Sequence, residues 1–189
     1  MSAKTHIALM KKVIPDELCE MLIDQYEKNL KEVPARKPGS EMCPEPMAVF
    51  SQEILDVVDP VLGIYLQSYL QDKIGENYNE YLLDSVSVMK YNKGDSYQIH
   101  PDNAFQITDT VLGTGRYFPV QMVAYLNDNY NGGALEFPDY DVTYEPSKGD
   151  LCIFPTGFAF PHKVYKVDAP RYIMLVAVLK VGEDFIDED

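Results

Sequence analysis

Residues 84–92 read DSVSVMKYN. Val86, Val88 and Lys90 alternate with Ser85, Ser87 and Met89, a period of two that belongs to a strand and not to a helix. Six more runs of β character follow: SYQIHPD (96–102), PVQMVAYLN (119–127), GALEFPD (133–139), VTYEPSKGDLCIFP (142–155), HKVYKV (162–167) and RYIMLVAVL (171–179). Glycine, proline and asparagine punctuate the gaps, as between the short strands of a sandwich or jelly roll, whereas a parallel α/β sheet would need helical stretches there. One gap differs. NAFQITDTVLGTGRYF (103–118) is too long for a hairpin turn and reads as a lid, a binding loop or a disordered segment.

Upstream of this region the period changes. Residues 14–33, IPDELCEMLIDQYEKNLKEV, predict an amphipathic helix. Pro15 suits its first turn, Asp16 and Glu17 favour its positive end, and Leu18, Met21, Leu22, Tyr26 and Leu30 form an apolar stripe at spacings of three and four. PARKPGSEMCPEPMA (34–48) is a proline-rich loop. A second helical region spans about 51–74, with Gln52 and Glu53 in its first turn and Pro60 expected to kink or restart it. The acidic tail GEDFIDED reads as fraying. The expected organisation is one domain over 1–189, mainly β with N-terminal helices. Its helical part covers about 1–80 and its jelly-roll core about 84–180.

At 189 residues the chain is long enough to bury a sizeable core. The net charge of −14 argues against nucleic acid as a partner, because such binders present basic patches to phosphate. Cys19, Cys43 and Cys152 are an odd, widely spaced set without CxxC, which points to a reducing, cytoplasmic setting. The opening MSAKTHIALMKKVIPDE has no long apolar core of a signal peptide, and no segment reaches the roughly 20 apolar residues of a membrane span. No membrane partner is expected.

The chemistry concentrates in two of the three histidines. His100 and Asp102 flank Pro101, so on a strand their side chains would share a face about 6.6 Å apart along the chain. Pro101 cannot donate to a ladder, so the strand ends there or lies at an edge. His162 follows much later and opens HKVYKV, whose Val164 and Val167 need burial. Arg171 heads a long apolar strand. It either caps that strand in solvent or points inward, where an unpaired guanidinium is expensive and a carboxylate held bidentately is the remedy. Two imidazoles and a carboxylate on one face of a metal leave the opposite face open, the arrangement that suits Fe(II) in oxygenases. His6 reads as a plain exposed residue, and Gly132-Gly133 and Lys148-Gly149-Asp150 as turns.

These residues carry a resemblance. YNKG (91–94), HPD (100–102), YLN (125–127), NGGALEFP (131–138), PSKGD (146–150), His162 and Arg171-Tyr172 resemble the prolyl 4-hydroxylase-like branch of the 2-oxoglutarate/Fe(II)-dependent dioxygenases. VIPDELCEMLI is similar to that family's first helix. The resemblance implies a double-stranded β-helix, a cupin-like jelly-roll barrel with helices packed on one sheet. It implies Fe(II), 2-oxoglutarate and O2 as cofactor and co-substrates, and allows ascorbate. It makes His100, Asp102 and His162 the metal ligands. Arg171 and Tyr125 become the contacts of the far carboxylate of 2-oxoglutarate, and Tyr91 a residue lining the site. Where many relatives have tryptophan six residues past the basic anchor, this chain has Ala177, so that part of the pocket wall is expected to be rebuilt.

The implied function is hydroxylation of an unactivated C–H, with a prolyl residue in a peptide or protein as the substrate. Phe105, Tyr117 and Phe118 would wall the site. A hydroxylase of a free amino acid or other small molecule would instead need a charge for the substrate's own carboxylate, with Arg116 as candidate. From another class, a cupin-like protein could hold a metal without catalysis. Asp102 fills the position that halogenases of this fold vacate for halide. RYIMLVAVL lacks the further arginines of the nucleic-acid demethylases.

Overall fold

A computed structural model of the protein describes residues 6–29, 48–49, 52–103, 105–109 and 114–181. Leu30, Cys43, residues 34–47 of the proline-rich segment and the 182–189 tail lie outside the described residues. Two helices occur in the N-terminal part, α1 (Asp16–Asn29) and α2 (Gln52–Tyr69), the latter running into a π-helical turn at Leu70–Ile74. The strands are β1 (Ala8–Met10), β2 (Ala48–Val49), β3 (Tyr81–Tyr91), β4 (Tyr97–His100), β5 (Phe105–Asp109), β6 (Thr114–Tyr117), β7 (Val120–Tyr125), β8 (Leu135–Phe137), β9 (Val142–Tyr144), β10 (Leu151–Pro155), β11 (His162–Val164) and β12 (Arg171–Lys180).

The strands form a major sheet in the order β1-β10-β7-β12-β3-β2, a minor sheet in the order β4-β11-β8-β9, and a separate β5-β6 ribbon. This is the double-stranded β-helix expected from the sequence, as two facing sheets. Among the described residues the two do not join into a closed ring. The period of two explains the layering. On β12, Met174, Val176 and Val178 pack with the helices, while Ile173 and Leu175 on the other face belong to a second cluster between the sheets. The same division runs along β10, with Leu151 and Ile153 outward and Cys152 and Phe154 inward. Both faces of the major sheet are therefore buried, one by helices and one by the minor sheet.

The helix stripes supply the outer cover. Leu18, Leu22 and Tyr26 of α1 and Leu55, Val58, Leu62 and Leu66 of α2 are buried against the sheet, each leucine contributing on the order of 1.5–3 kcal/mol. Lys90 shares the face of Val86 and Val88, and its ammonium reaches Glu27 of α1 at 2.8 Å. Asp150 ties the other edge. Its carboxylate is inaccessible to solvent and accepts from Lys11 Nζ, Lys12 N, Ser147 N and the Tyr144 hydroxyl at 2.6–3.0 Å. Burial raises the Asp150 pKa, and these hydrogen bonds more than offset it, leaving a net lowering.

Four expectations need correction. Residues 103–118 are not a patternless loop. Phe105 pairs with Tyr117 and Ile107 with Gly115, with a register irregularity before Asp109, so the segment is an antiparallel ribbon whose tip lies outside the described residues. VTYEPSKGDLCIFP is not one β run: the turn expected at Lys148-Gly149-Asp150, with Gly149 at φ +83°, separates two strands in different sheets, β9 in the minor sheet and β10 in the major one. Pro60 neither stops nor restarts α2. It sits on the exposed face, where the carbonyl it leaves without a donor meets water. His6 is half-buried, and its carbonyl accepts from the Tyr69 hydroxyl at 2.8 Å. The reduced state expected of the cysteines agrees with Cys19 and Cys152, both buried and unpaired, and burial raises the Cys19 thiol to about 11. Among the described residues no helix is long and apolar enough to cross a membrane.

Candidate active site

The minor sheet brings the two histidines together. β4 is its edge strand, and β11 pairs with it so that His162 lies opposite His100. Their ring centroids are 4.5 Å apart. The strand ends at His100, as Pro101 predicts, and Asp102 follows beyond it, its backbone carbonyl held by Gly157 N–H at 2.8 Å. Asp102 Oδ1 lies 3.7 Å from His100 Nε2 and 3.9 Å from His162 Nε2. One donor atom from each of the three falls within 4.8 Å of the others.

The tautomers follow from the backbone. His100 Nδ1 lies 2.7 Å from the Gln98 carbonyl and His162 Nδ1 lies 3.1 Å from the Phe160 carbonyl. A carbonyl only accepts, so each Nδ1 carries the proton and each Nε2 lone pair faces Asp102. Burial pushes the His162 pKa down; Asp102 opposes this, His100 adds to it, and the net shift is downward. A neutral imidazole can donate its lone pair to a metal. Two nitrogens, one carboxylate oxygen and an open side fit Fe(II).

The other end of the site lies on the major sheet. Arg171 shares the inward face of β12 with Ile173 and is 1% exposed, so it points inward and does not cap the strand in solvent. Tyr91 lies opposite it on β3, and Tyr125 of β7 lies opposite Ile173. The guanidinium carbon is 5.1, 4.9 and 5.8 Å from the ring centres of Tyr91, Tyr125 and Tyr130. Arg171 Nη1 donates to the Gly133 carbonyl at 2.8 Å, but its Nε has no partner, and neither does the buried Tyr125 hydroxyl. Burial drives the Tyr125 pKa far up, so that hydroxyl is a donor. A buried cation beside an idle hydroxyl donor has the donors to hold a carboxylate. One cavity of about 270 Å³ joins the two ends, lined by His100, Asp102 and His162 as well as by Tyr91, Tyr125 and Arg171.

Residues 86–177 match the family model of the 2OG-Fe(II) oxygenase superfamily. The match identifies this part of the chain as a 2OG-Fe(II) oxygenase. The oxygenase has no match among curated protein sequences. Its fold is similar to viral collagen prolyl hydroxylase from Paramecium Bursaria Chlorella virus-1 in complex with 2OG. The TM-score there is 0.69 at 18% identity, over 93% of this chain and 97% of that one. A Pseudomonas putida prolyl-4-hydroxylase gives 0.62 at 20% identity, covering 93% of both chains. The Trichoplax adhaerens prolyl hydroxylase, in complex with a hypoxia inducible factor peptide fragment, gives 0.63 at 18%, over 93% and 84%. At these identities the likeness shows the fold. The family's chemistry takes Fe(II), 2-oxoglutarate and O2, and the oxygenase is an enzyme of this kind.

Several residues of the site were not legible in the sequence. The Tyr97 ring stacks on His100 at 3.5 Å and 26°. The two are three apart, which places them on opposite faces of a regular strand. A register irregularity sets Tyr97 opposite Val164 and His100 opposite His162, three residues against two, and turns both to one side. Gly133 is more than a turn glycine. A Cβ there would lie 2.9 Å from Arg171 Nη1 and 2.8 Å from Val167 Cγ1. Other candidates are placed elsewhere. Arg116 pairs with Asp84. Tyr117 is exposed, Phe118 is buried, and neither lines the cavity. Ala177 does not line it either, although its cross-strand partner Gln121 does.

Proposed function

We propose that the oxygenase, acting as one domain, hydroxylates a prolyl residue within a peptide or protein. His100, Asp102 and His162 would hold Fe(II), and Arg171 and Tyr125 would hold the far carboxylate of 2-oxoglutarate. Bound there, the metal and 2-oxoglutarate supply the oxidising power for C–H hydroxylation with O2. The protein's own contribution is orientation and exclusion of water. The backbone carbonyls of Gln98 and Phe160 fix the direction of both lone pairs. Phe137 and Phe154 pack on the His162 ring at 5.3 and 4.9 Å and keep one side of it dry.

The observation that supports a peptide over a free amino acid is the charge inventory of the cavity. Among the described residues Arg171 is the one permanent cation lining it, and the co-substrate's carboxylate would claim that cation. The charge available for a small substrate's own carboxylate was to be Arg116, which is engaged by Asp84 away from the cavity. A peptide carries no carboxylate at the reacting residue and needs none. The triad at the open mouth, with Asp102 28% exposed, also leaves the metal accessible to a chain lying outside. The test offers free L-proline and a proline-containing peptide library side by side with Fe(II), 2-oxoglutarate and O2. A gain of one oxygen on peptides is the expected result; hydroxylation of L-proline with no peptide modified overturns the substrate reading and leaves the iron chemistry standing.

A further inference from the structure

Three polar groups converge behind the aromatic wall of the Arg171 end, and only two of them have been given work. Arg171 Nε and the hydroxyls of Tyr125 and Tyr130 are all buried without a hydrogen bond of good geometry, and the Arg171 guanidinium lies near enough to the Tyr130 hydroxyl to lower its pKa as a hydrogen-bond donor does. Native interiors rarely leave such groups idle, so a guanidinium nitrogen with two hydroxyls around it describes a single unfilled arrangement. Tyr130 differs from the other two in lying off the sheets, in the segment between β7 and β8. That segment is nevertheless pinned. Asp168 accepts from the Asn131 backbone N–H at 2.6 Å and from Asn131 Nδ2 at 2.7 Å, Asp168 N–H donates back to the Asn131 carbonyl, and Gly133 N–H donates to Lys166. The residue next to Tyr130 is thus clamped to the loop that leads into Arg171.

We propose that Tyr130 is a positioning residue for the carboxylate-binding end: its hydroxyl accepts from the Arg171 guanidinium and fixes the plane in which Arg171 meets the far carboxylate of 2-oxoglutarate. The proposal rests on the 2-oxoglutarate reading of this end given above. The guanidinium is already held at one nitrogen, by the Gly133 carbonyl, and lies over the rings of Tyr91 and Tyr125. One hydrogen bond leaves it free to swivel about that contact. A second acceptor on the Nε side removes the freedom, and bidentate recognition depends on the planar fork being preset. The Tyr130 ring centre lies 5.8 Å from the guanidinium carbon. A phenol suits the task better than a carboxylate would, because a carboxylate there would neutralise the cation that the ligand needs. Burial raises the Tyr130 pKa against the lowering effect of Arg171, so the hydroxyl keeps its proton and stays neutral.

The test is calorimetric binding of 2-oxoglutarate and of pyruvate to anaerobic, Mn(II)-loaded protein, which reads affinity without turnover. Pyruvate has the chelating end and lacks the far carboxylate. Tyr130→Phe removes one oxygen and keeps the ring. It is expected to weaken 2-oxoglutarate by about tenfold or more, the scale of one lost hydrogen bond to a charged group, and to leave pyruvate affinity unchanged. Tyr117→Phe, at an exposed ring outside the cavity, should change neither. If Tyr130→Phe binds 2-oxoglutarate as the wild type does, Tyr130 only packs, and the proposal is overturned while the co-substrate reading stands. Equal weakening of both ligands also overturns it, since the residue would then be acting on the fold. If the wild type itself does not prefer 2-oxoglutarate to pyruvate, the reading of the Arg171 end fails and takes this proposal with it.

Discussion

The two ends of the cavity are built in opposite ways. The histidine end is a cross-strand pair on the short minor sheet, with His100 and Asp102 partly exposed and both Nδ1 atoms committed to backbone carbonyls. The arginine end sits in the major sheet, is 1% exposed, and keeps donors without partners. Metal ligands need fixed direction and access for O2 and substrate, which short strands ending at a mouth provide. Carboxylate recognition needs a dry, low-dielectric surround in which each hydrogen bond counts for more. The histidine end presents fixed acceptors at an open mouth, and the arginine end presents donors in a dry interior.

The largest effect should come from the histidine end. His162→Ala is expected to abolish turnover and to lower Mn(II) affinity by at least about 100-fold, because loss of even a supporting partner of a ligand costs 10- to 100-fold. Titration followed by electron paramagnetic resonance reads this directly, and wild-type affinity in the variant would remove His162 from the ligand set. Arg171→Ala should raise the KM for 2-oxoglutarate about tenfold or more, since a charge-assisted pair contributes roughly 1.5–3 kcal/mol, while Mn(II) affinity stays at the wild-type value. Arg171→Met sharpens the contrast. Without 2-oxoglutarate its melting temperature should equal or exceed that of the wild type, because the change removes an uncompensated buried charge at similar volume. A clear drop would mean that the Gly133 carbonyl and the tyrosine rings compensate the buried charge without a carboxylate.

Gly133→Ala joins the same end at lower magnitude. Its Cβ would press on Arg171 Nη1 and Val167, and the backbone φ of +68° is unfavourable for alanine by about 1–2 kcal/mol. The expected outcome is a several-fold higher KM for 2-oxoglutarate with Mn(II) binding unchanged. The smallest effect concerns pH. Asp150 anchors Tyr144, whose ring meets Tyr125 at 6.0 Å, so this carboxylate stands behind the arginine end. Its folded pKa is depressed, so its stabilisation is fully present above the unfolded carboxylate value of about 3.9 and is lost as pH falls through the lower folded value. Melting curves of wild type and Asp150→Asn should converge as pH is lowered below about 4, and parallel curves would show that Asp150 does not titrate with folding.

The strands of the two sheets were legible because burial imposes its period on the residues directly. Val86 and Val88 against Met89 and Tyr91 already separate the helix-facing layer from the cavity. By the same parity Arg171 shares the face of Ile173, although only the structure shows that this face is the inward one. The order of His100, Asp102, His162 and Arg171 was also readable. What composition and spacing could not carry were features decided by pairing between distant segments. The ribbon at 105–117 depends on Phe105 finding Tyr117, and the split of 142–155 depends on which sheet each half meets.

Sequence by itself determined which side chains can ligate a metal and which face of each long strand is apolar, because both follow from residue type and local geometry. Tertiary structure alone decided that His162 faces His100, that an irregular register turns Tyr97 onto the same ring, and that Gly133 makes room for a buried guanidinium. Register between strands far apart in the chain is set by the sum of many weak side-chain contacts on both faces, and no local stretch contains that sum.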